Sequence, residues 1–326
     1  MRLCSIARVG LSAAVLALTL TGCSGLADTA ALRSVPNGLS PIEAEPSVSV
    51  ITTRKPIKSA SAEPWFGSDR ATQITVAQVR LASPAQAGRF SLAATGLIDW
   101  RINQVNIVPN LSLGDGDVLL YIHGFNQSFE SATLDAARLA DGLRFGGQTV
   151  LFSWPSHNKL FDYIADRESA TWSRDALETT LDSLVTRAGP GRVNIVAHSM
   201  GAMLALEGLR QLYAKEGAIL VDRIGAIVLA APDLDPDVFS SSIARMRPLV
   251  DRMTVITSND DRALAVATSL AGGPRVGRVQ KAKLQAQGLK VIDTSGAGWG
   301  LINHDLFLSN EGVLKVIARA IEDART

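Results

Sequence analysis

The sequence predicts an α/β protein, a mostly parallel sheet with helices packed on both faces. Three observations predict it. From Trp65 onward, short β-branched runs alternate with helical patterns, and strands separated by helices pair in parallel and are covered on both sides. One apolar run, Val193 to His198, leads straight into Ser199, and a helix-forming run from Met203 to Tyr213 leaves it. Finally, residues 65–326 match the size of one such domain rather than two.

The N-terminal residues stand apart from that domain. Arg2 and Arg8 supply a positive start, Val9 to Leu20 an apolar run, and Leu20-Thr21-Gly22-Cys23 a small-residue cleavage region. The apolar run is shorter than the ~20 residues that span a bilayer. Leu-Thr-Gly-Cys resembles the lipobox of bacterial lipoproteins, which implies cleavage before Cys23 and acylation of its thiol. An ordinary secretory signal and an uncleaved anchor are the alternatives. Ser24, in place of Asp, matches the pattern for sorting to the outer membrane, so the expected location is the cell envelope, lipid-anchored and facing the periplasm. Residues 24–64 are rich in Ser, Ala, Pro and Thr, with prolines at 36, 41, 46, 56 and 64, and read as a flexible tether. The expected organisation is therefore a signal segment 1–23, a tether 24–64 and a domain 65–326.

Composition narrows the function. The other cysteine, Cys4, lies in the removed segment, so the mature chain forms no internal disulfide and relies on a core. Hydrophobic residues make up 47% of the chain, ample for one. A net charge of +1 with interspersed signs argues against a nucleic-acid partner or a polybasic membrane surface. Membrane attachment is left to the acyl chains. Nothing suggests an obligate oligomer, and a monomer is expected.

The elements follow in order. Gln73 to Arg80 and Arg101 to Val108 read as opening strands, and Gly114 to Asp117 as a turn before the strand Val118 to Ile122. A helix over Ser131 to Leu143, a strand Thr149 to Phe152 and a long helix from Asp162 to Ala188 come next. Beyond Ser199 lie the strand Ile224 to Ala230, a helix after Pro236, the strand Met253 to Thr257 and a helix from Arg262. A last strand, Leu289 to Ile292, precedes a C-terminal helix from Asp305 to Glu322.

Ser199 sits where a buried strand turns into a helix, the geometry that lifts a hydroxyl to the top of a parallel sheet. Small residues at Ala197 and Gly201 let strand and helix approach closely; glycine is usual at the first of these, and Ala197 departs by one methyl. A serine hydroxyl needs a base, and the base a carboxylate to orient it. In α/β-hydrolases the three come in the order Ser, Asp or Glu, His. Of His123, His157, His198 and His304, only His304 follows Ser199, on a Gly-rich loop after the last strand. Asp261 and Asp260 end one strand and open a helix, and Asp233 ends the strand before. Asp261 is the first candidate for the acid, with Asp260 and Asp233 as alternatives. The loop Tyr121 to Asn126 supplies one oxyanion donor and the residue after the nucleophile the other, so the backbone N–H groups of Phe125 and Met200 are the expected pair. His123 is expected to brace its loop and His198 to be structural. Residues 156–172, with His157, Leu160, Phe161, Tyr163 and Trp172, either overhang the site or pack a helix onto the core.

Gly272 to Gly277 is glycine-rich but lacks the Gly-Lys-Ser/Thr of a phosphate loop. His123, His157 and Cys23 have no metal-ligand spacing, and no metal or cofactor is expected.

His-Gly-Phe-Asn (123–126), Phe152-Ser-Trp-Pro-Ser156, Tyr163 with Asp166-Arg167, Ala197-His-Ser-Met-Gly201, Ala230-Ala-Pro-Asp233, Asp261-Arg-Ala-Leu264 and His304 occur in sequence. As a set they resemble the bacterial alpha/beta-hydrolase family grouped as DUF900, from about Trp65 to the C-terminus. The resemblance implies an α/β-hydrolase fold and serine esterase or lipase-like activity. It makes Ser199 the nucleophile, His304 the base and Asp261 the acid; Asp260 beside it keeps that last role open. The substrate is expected to be a small-molecule or lipid ester. Acyl transfer with the same triad, or binding without catalysis on the same scaffold, are the alternatives.

Overall fold

The computed structural model describes residues 46–57, 63–83, 100–159, 161–188, 193–296 and 306–325. The strands are β1 (Ser47–Pro56), β2 (Phe66–Ala82), β3 (Arg101–Val108), β4 (Val118–Ile122), β5 (Gln148–Ser153), β6 (Val193–His198), β7 (Ile224–Ala230), β8 (Met253–Thr257) and β9 (Lys290–Asp293). The helices are α1 (Phe129–Gly142), α2 (Tyr163–Trp172), α3 (Arg174–Arg187), α4 (Met200–Glu216), α5 (Ile219–Arg223), α6 (Pro236–Arg245), α7 (Arg262–Ala271), α8 (Lys281–Gln285), α9 (Leu306–Ser309) and α10 (Glu311–Asp323). Among the described residues the strands form one sheet in the order β3-β2-β1-β5-β4-β6-β7-β8-β9. From β1 to β9 every neighbouring pair is parallel, while β2 runs antiparallel to both β1 and β3. The α/β architecture expected from the alternating pattern is the one found.

Every residue of β4, β6, β7 and β8 is buried, because side chains of a central strand alternate between two covered faces. Val118, Leu120 and Ile122 join one core with Leu177 and Leu181 of α3 and Leu204 of α4. Leu119 and Tyr121 join the other, with Phe129 and Ala136 of α1 and Ile317 of α10. The strand register then fixes the rim. Ala197 stands opposite Ile122 and His198 opposite Ala230. Ala230 in turn faces Ile256, and Ile256 faces Ile292. The loops that begin at His123, Ser199, Ala231, Ser258 and Thr294 therefore leave the sheet along one edge.

Three expectations are corrected. Residues 47–56, assigned to the tether, form β1, which pairs with β2 on one side and β5 on the other. Its Val48 to Thr53 run is almost wholly buried; prolines at 46 and 56 flank a strand here instead of marking loose chain. The tether thus cannot extend to residue 64. The single helix over 162–188 is two, α2 and α3. They part at Ser173, whose hydroxyl turns back to the Ser169 carbonyl at 2.9 Å and meets Thr53 Oγ1 at 3.1 Å. The C-terminal helix likewise divides at Asn310, whose side chain accepts the Val313 N–H at 3.1 Å and starts α10 afresh.

Candidate active site

Ser199 occupies the turn between β6 and α4 with φ 53° and ψ −119°. A non-glycine residue at positive φ costs on the order of 1–3 kcal/mol and persists only where its surroundings over-determine it. Here they do. The Ser199 N–H donates to the Ala230 carbonyl at 2.9 Å, and its own carbonyl accepts from Ala202 at 3.0 Å and from Asp233 at 3.1 Å. The loop after β4 closes from the other side. A Cβ on Gly201 would lie 2.3 Å from the His123 carbonyl oxygen, and one on Gly124 would lie 3.0 Å from Ser199 Cβ. Only glycine fits against backbone at 201, and a side chain at 124 would crowd Ser199 and His198. Ala197, by contrast, is buried without difficulty, so the methyl group that departs from the usual pattern is accommodated.

The two candidate oxyanion donors sit on these facing segments. Met200 opens α4, so its N–H is among the first of the helix, which have no intrahelical acceptor. Phe125 follows Gly124 and lays its ring edge-on to Tyr163 at 5.5 Å. His123 holds the loop in shape. Its Nε2 accepts the Trp154 N–H at 3.1 Å, so Nδ1 carries the proton and donates to the Gly124 carbonyl at 2.8 Å. The ring stacks on Trp154 at 4.8 Å, and Trp154 Nε1 donates to the His123 carbonyl at 2.8 Å. Burial, helped by the Arg54 charge, lowers its pKa to about 3. It is a neutral brace. His198 is buried against Phe307, ring centroids 4.5 Å apart.

The three candidate carboxylates differ sharply in their surroundings. Asp233 is buried and takes the Tyr163 hydroxyl on both oxygens, at 2.9 and 3.1 Å. Arg275 Nε stands 3.3 Å from its Oδ1. Burial, then Asp233, pushes Tyr163 up to about 12, so the phenol stays a donor. Asp260 is exposed, and its Oδ2 accepts the Gly296 N–H at 2.6 Å. Asp261 is buried and caps α7 by accepting the Leu264 N–H at 2.9 Å through Oδ1. It lies beyond β8, two strands from β6, a lateral separation of about 10 Å. The segment after β9 is stitched to this corner: Thr294 N–H donates to the Thr257 carbonyl at 2.8 Å and Asn259 N–H to Ser295 Oγ at 2.9 Å. His304 lies outside the described residues.

The described residues of the 156–172 segment divide between core and surface. Tyr163 turns inward to Phe125 and Asp233, whereas Phe161 is fully exposed. Asp166, buried, gathers Ser156 Oγ at 2.5 Å, the His157 N–H at 2.8 Å and His157 Nδ1 at 2.7 Å.

Sequence reading missed Arg54. This buried guanidinium, at the end of β1, donates to Ser153 Oγ at 2.9 Å, the Ser156 carbonyl at 3.0 Å and the Gln127 carbonyl at 2.8 Å. It thereby ties together the loops after β4 and β5. Burial lowers its pKa to about 10, against the opposing pull of Glu130 and Asp166, and it remains charged at neutral pH. A lone arginine ahead of Lys-Pro carries no signal of this.

Residues 103–320 match the family described as alpha/beta hydrolase of unknown function, DUF900. A curated relative, "Uncharacterized protein alr1448" of Nostoc sp., is 28% identical over 120 residues. That match covers 29% of this chain and 31% of the relative, so the chain spans about a third of the length of that protein. Among solved structures, an esterase of the archaeon Pyrobaculum calidifontis is 14% identical, with 86% of this chain and 88% of that chain covered at a TM-score of 0.41. SOBER1 of Arabidopsis thaliana is 14% identical, with 64% and 99% covered at a TM-score of 0.39. The family match, not these distant likenesses, carries the assignment.

Proposed function

The chain belongs to the alpha/beta hydrolases of unknown function grouped as DUF900, and from that premise we propose that it cleaves carboxylic esters through an acyl-enzyme on Ser199. The observation that carries the proposal is the strained turn at Ser199, held at φ 53° against a glycine-lined loop. Backbone strain of that kind persists at sites of chemistry, and the proposed donors, the Phe125 and Met200 N–H groups, belong to the two segments that meet at this turn.

In the proposed sequence His304 takes the Ser199 proton as Oγ attacks the ester carbonyl carbon. The carbonyl oxygen becomes an oxyanion held by the N–H groups of Phe125 and Met200, worth roughly 2.7–4 kcal/mol each. Collapse expels the alcohol, which leaves with the proton from His304. A water deprotonated by His304 then attacks the acyl carbon, and the acid departs as Ser199 regains its proton. Asp261 orients the imidazole: it is the buried carboxylate of the pair after β8, whereas Asp233 is already bound by Tyr163 and Arg275. Asp260 instead tethers the loop toward His304 through Gly296.

The N-terminal pattern supports a second part of the proposal, an envelope lipoprotein held through acylated Cys23 with its domain facing the periplasm. Its substrate is a soluble or lipid ester within reach of that anchor. Incorporation of labelled palmitate by the wild-type chain and by Cys23→Ser tests this; equal incorporation in both would refute it.

For the catalytic claim, the protein lacking residues 1–23 should hydrolyse p-nitrophenyl esters with a preferred chain length. Ser199→Ala should lose nearly all of that turnover. Turnover that survives Ser199→Ala, or that is absent on every ester, would overturn the proposal. Ester products formed with an added alcohol would mark the transferase variant of the same chemistry.

A further inference from the structure

Two arginines on segments that flank Asp233 and Tyr163 carry buried guanidinium nitrogens that complete no hydrogen bond. Arg275 is 3% exposed, and its buried Nε completes no hydrogen bond. Its segment is fixed against the loop after β7: Val276 N–H donates to the Leu234 carbonyl and Gly277 N–H to the Pro232 carbonyl, both at 2.9 Å. Arg167 lies on α2, one helical turn beyond Tyr163 and on the same face. Its Nη1 is also buried without a hydrogen-bond partner. Asp233 accepts from Tyr163 and pairs with Arg275 at 3.3 Å. The other carboxylate near Arg167, Asp166, is turned to Ser156 and His157.

One carboxylate, Asp233, thus answers two positive charges, Arg275 beside it and Arg167 one turn along α2 from Tyr163, and both act on the Tyr163 hydroxyl. Leaving buried charged donors unpaired is costly, and such groups call for an explanation. The location supplies one. The Asp233 N–H is bonded to the Ser199 carbonyl at 3.1 Å, and Tyr163 touches Phe125, the proposed oxyanion residue, at 5.5 Å. Two arginines against one carboxylate leave one positive charge in excess of Asp233, next to the segment bonded to Ser199. Guanidinium groups suit oxyanions, which they bind through charge-assisted hydrogen bonds.

We propose that Arg167 and Arg275 form an anion subsite, so that the preferred substrate is an ester bearing a carboxylate or phosphate on its acyl or alcohol portion. The inference rests on the ester-hydrolase reading and specifies its substrate class. No bond is made to the anion; it completes the two guanidinium groups and positions the ester at Ser199. Tyr163 stays neutral and holds Asp233 out of the subsite.

The test compares kcat/KM for p-nitrophenyl monoadipate with that for the neutral p-nitrophenyl hexanoate, within each protein. A charge-assisted contact kept through the transition state predicts a preference for the acid of about 10- to 100-fold in the wild type. Arg167→Met should reduce that ratio to near one, and Arg167→Lys should recover part of it. Fatty-acid release from phosphatidic acid, compared with diacylglycerol at the same mole fraction in neutral-detergent micelles, reports whether a lipid phosphate supplies the anion. A ratio near one for the soluble pair, with equal rates on both lipids, would overturn the subsite. Two further readouts separate it from the ester reading. Labelling of Ser199 by a fluorophosphonate reports the nucleophile alone, and a rise in Tm of the wild type, but not of Arg167→Met, on adding adipate or inorganic phosphate reports the subsite alone. If labelling fails while the anion still stabilises only the wild type, the ester reading falls and the subsite stands. If labelling succeeds without any anion preference, the subsite falls.

Discussion

His123 carries a measurable consequence of its role as a brace. Its pKa, lowered to about 3 by burial and by Arg54, lies below the ~6.5 of an unfolded histidine. Between those values the unfolded chain binds a proton that the folded chain refuses, so the stability contributed by neutral His123 is complete above pH 6.5 and is lost as pH falls toward 3. The full span is on the order of 5 kcal/mol. Urea titrations of wild type and His123→Gln should therefore show a constant gap at pH 7–8 that narrows by about 2 kcal/mol at pH 5; a stability gap unchanged across that range would contradict the assignment. At this scale the sequence was legible wherever local pattern decided the matter. Ser199 stood out from the strand and helix on either side of it, and His123 and His198 were readable as supports. The three aspartates were not separable, because each follows a strand. Only burial and partners sort them: Asp233 is engaged by Tyr163, Asp260 is exposed to Gly296, and Asp261 is buried beneath α7.

At the scale of elements, β1 is the clearest lesson. Its Val48, Val50 and Ile51 are buried on both faces of the sheet, which at roughly 1.5–3 kcal/mol apiece approaches the ~5–15 kcal/mol stability of a whole domain. It also delivers Arg54 to the loops behind the site. A chain beginning at residue 46 should unfold cooperatively, whereas one beginning at 65 should show no cooperative transition and no ester turnover. Equal thermal transitions in the two would mean that β1 is dispensable. The strand escaped notice because only three of its seven buried residues, Val48, Val50 and Ile51, are apolar, and they lie among prolines and serines that set the composition of the surrounding window. The helix breaks at Ser173 and Asn310 were hidden for a related reason. Each is made by a single side chain turning to a backbone partner, which periodicity does not register. Parallel strands were easier, since a strand buried on both faces reads as a continuous apolar run whatever its neighbours.

At the scale of the molecule, the parallel sheet converts separation along the chain into proximity. β6, β7, β8 and β9 end in register, so the loops holding Ser199, Asp233, Asp261 and the residues leading toward His304 leave from one edge. The order of strands and helices was readable because covering both faces of such a sheet imposes it. Arg167 and Arg275 were not readable as a pair, since more than a hundred positions separate them and only the packing of α2 against the loop after β7 brings their charges to one hydroxyl. The claim on which the rest depends is that Ser199 is an activated nucleophile at this edge. The most direct measurement is mass spectrometry of the protein after reaction with a fluorophosphonate. One adduct per chain, on the peptide containing Ser199 and lost in both Ser199→Ala and His304→Ala, is the predicted result; no adduct, or one that survives in either variant, would contradict it.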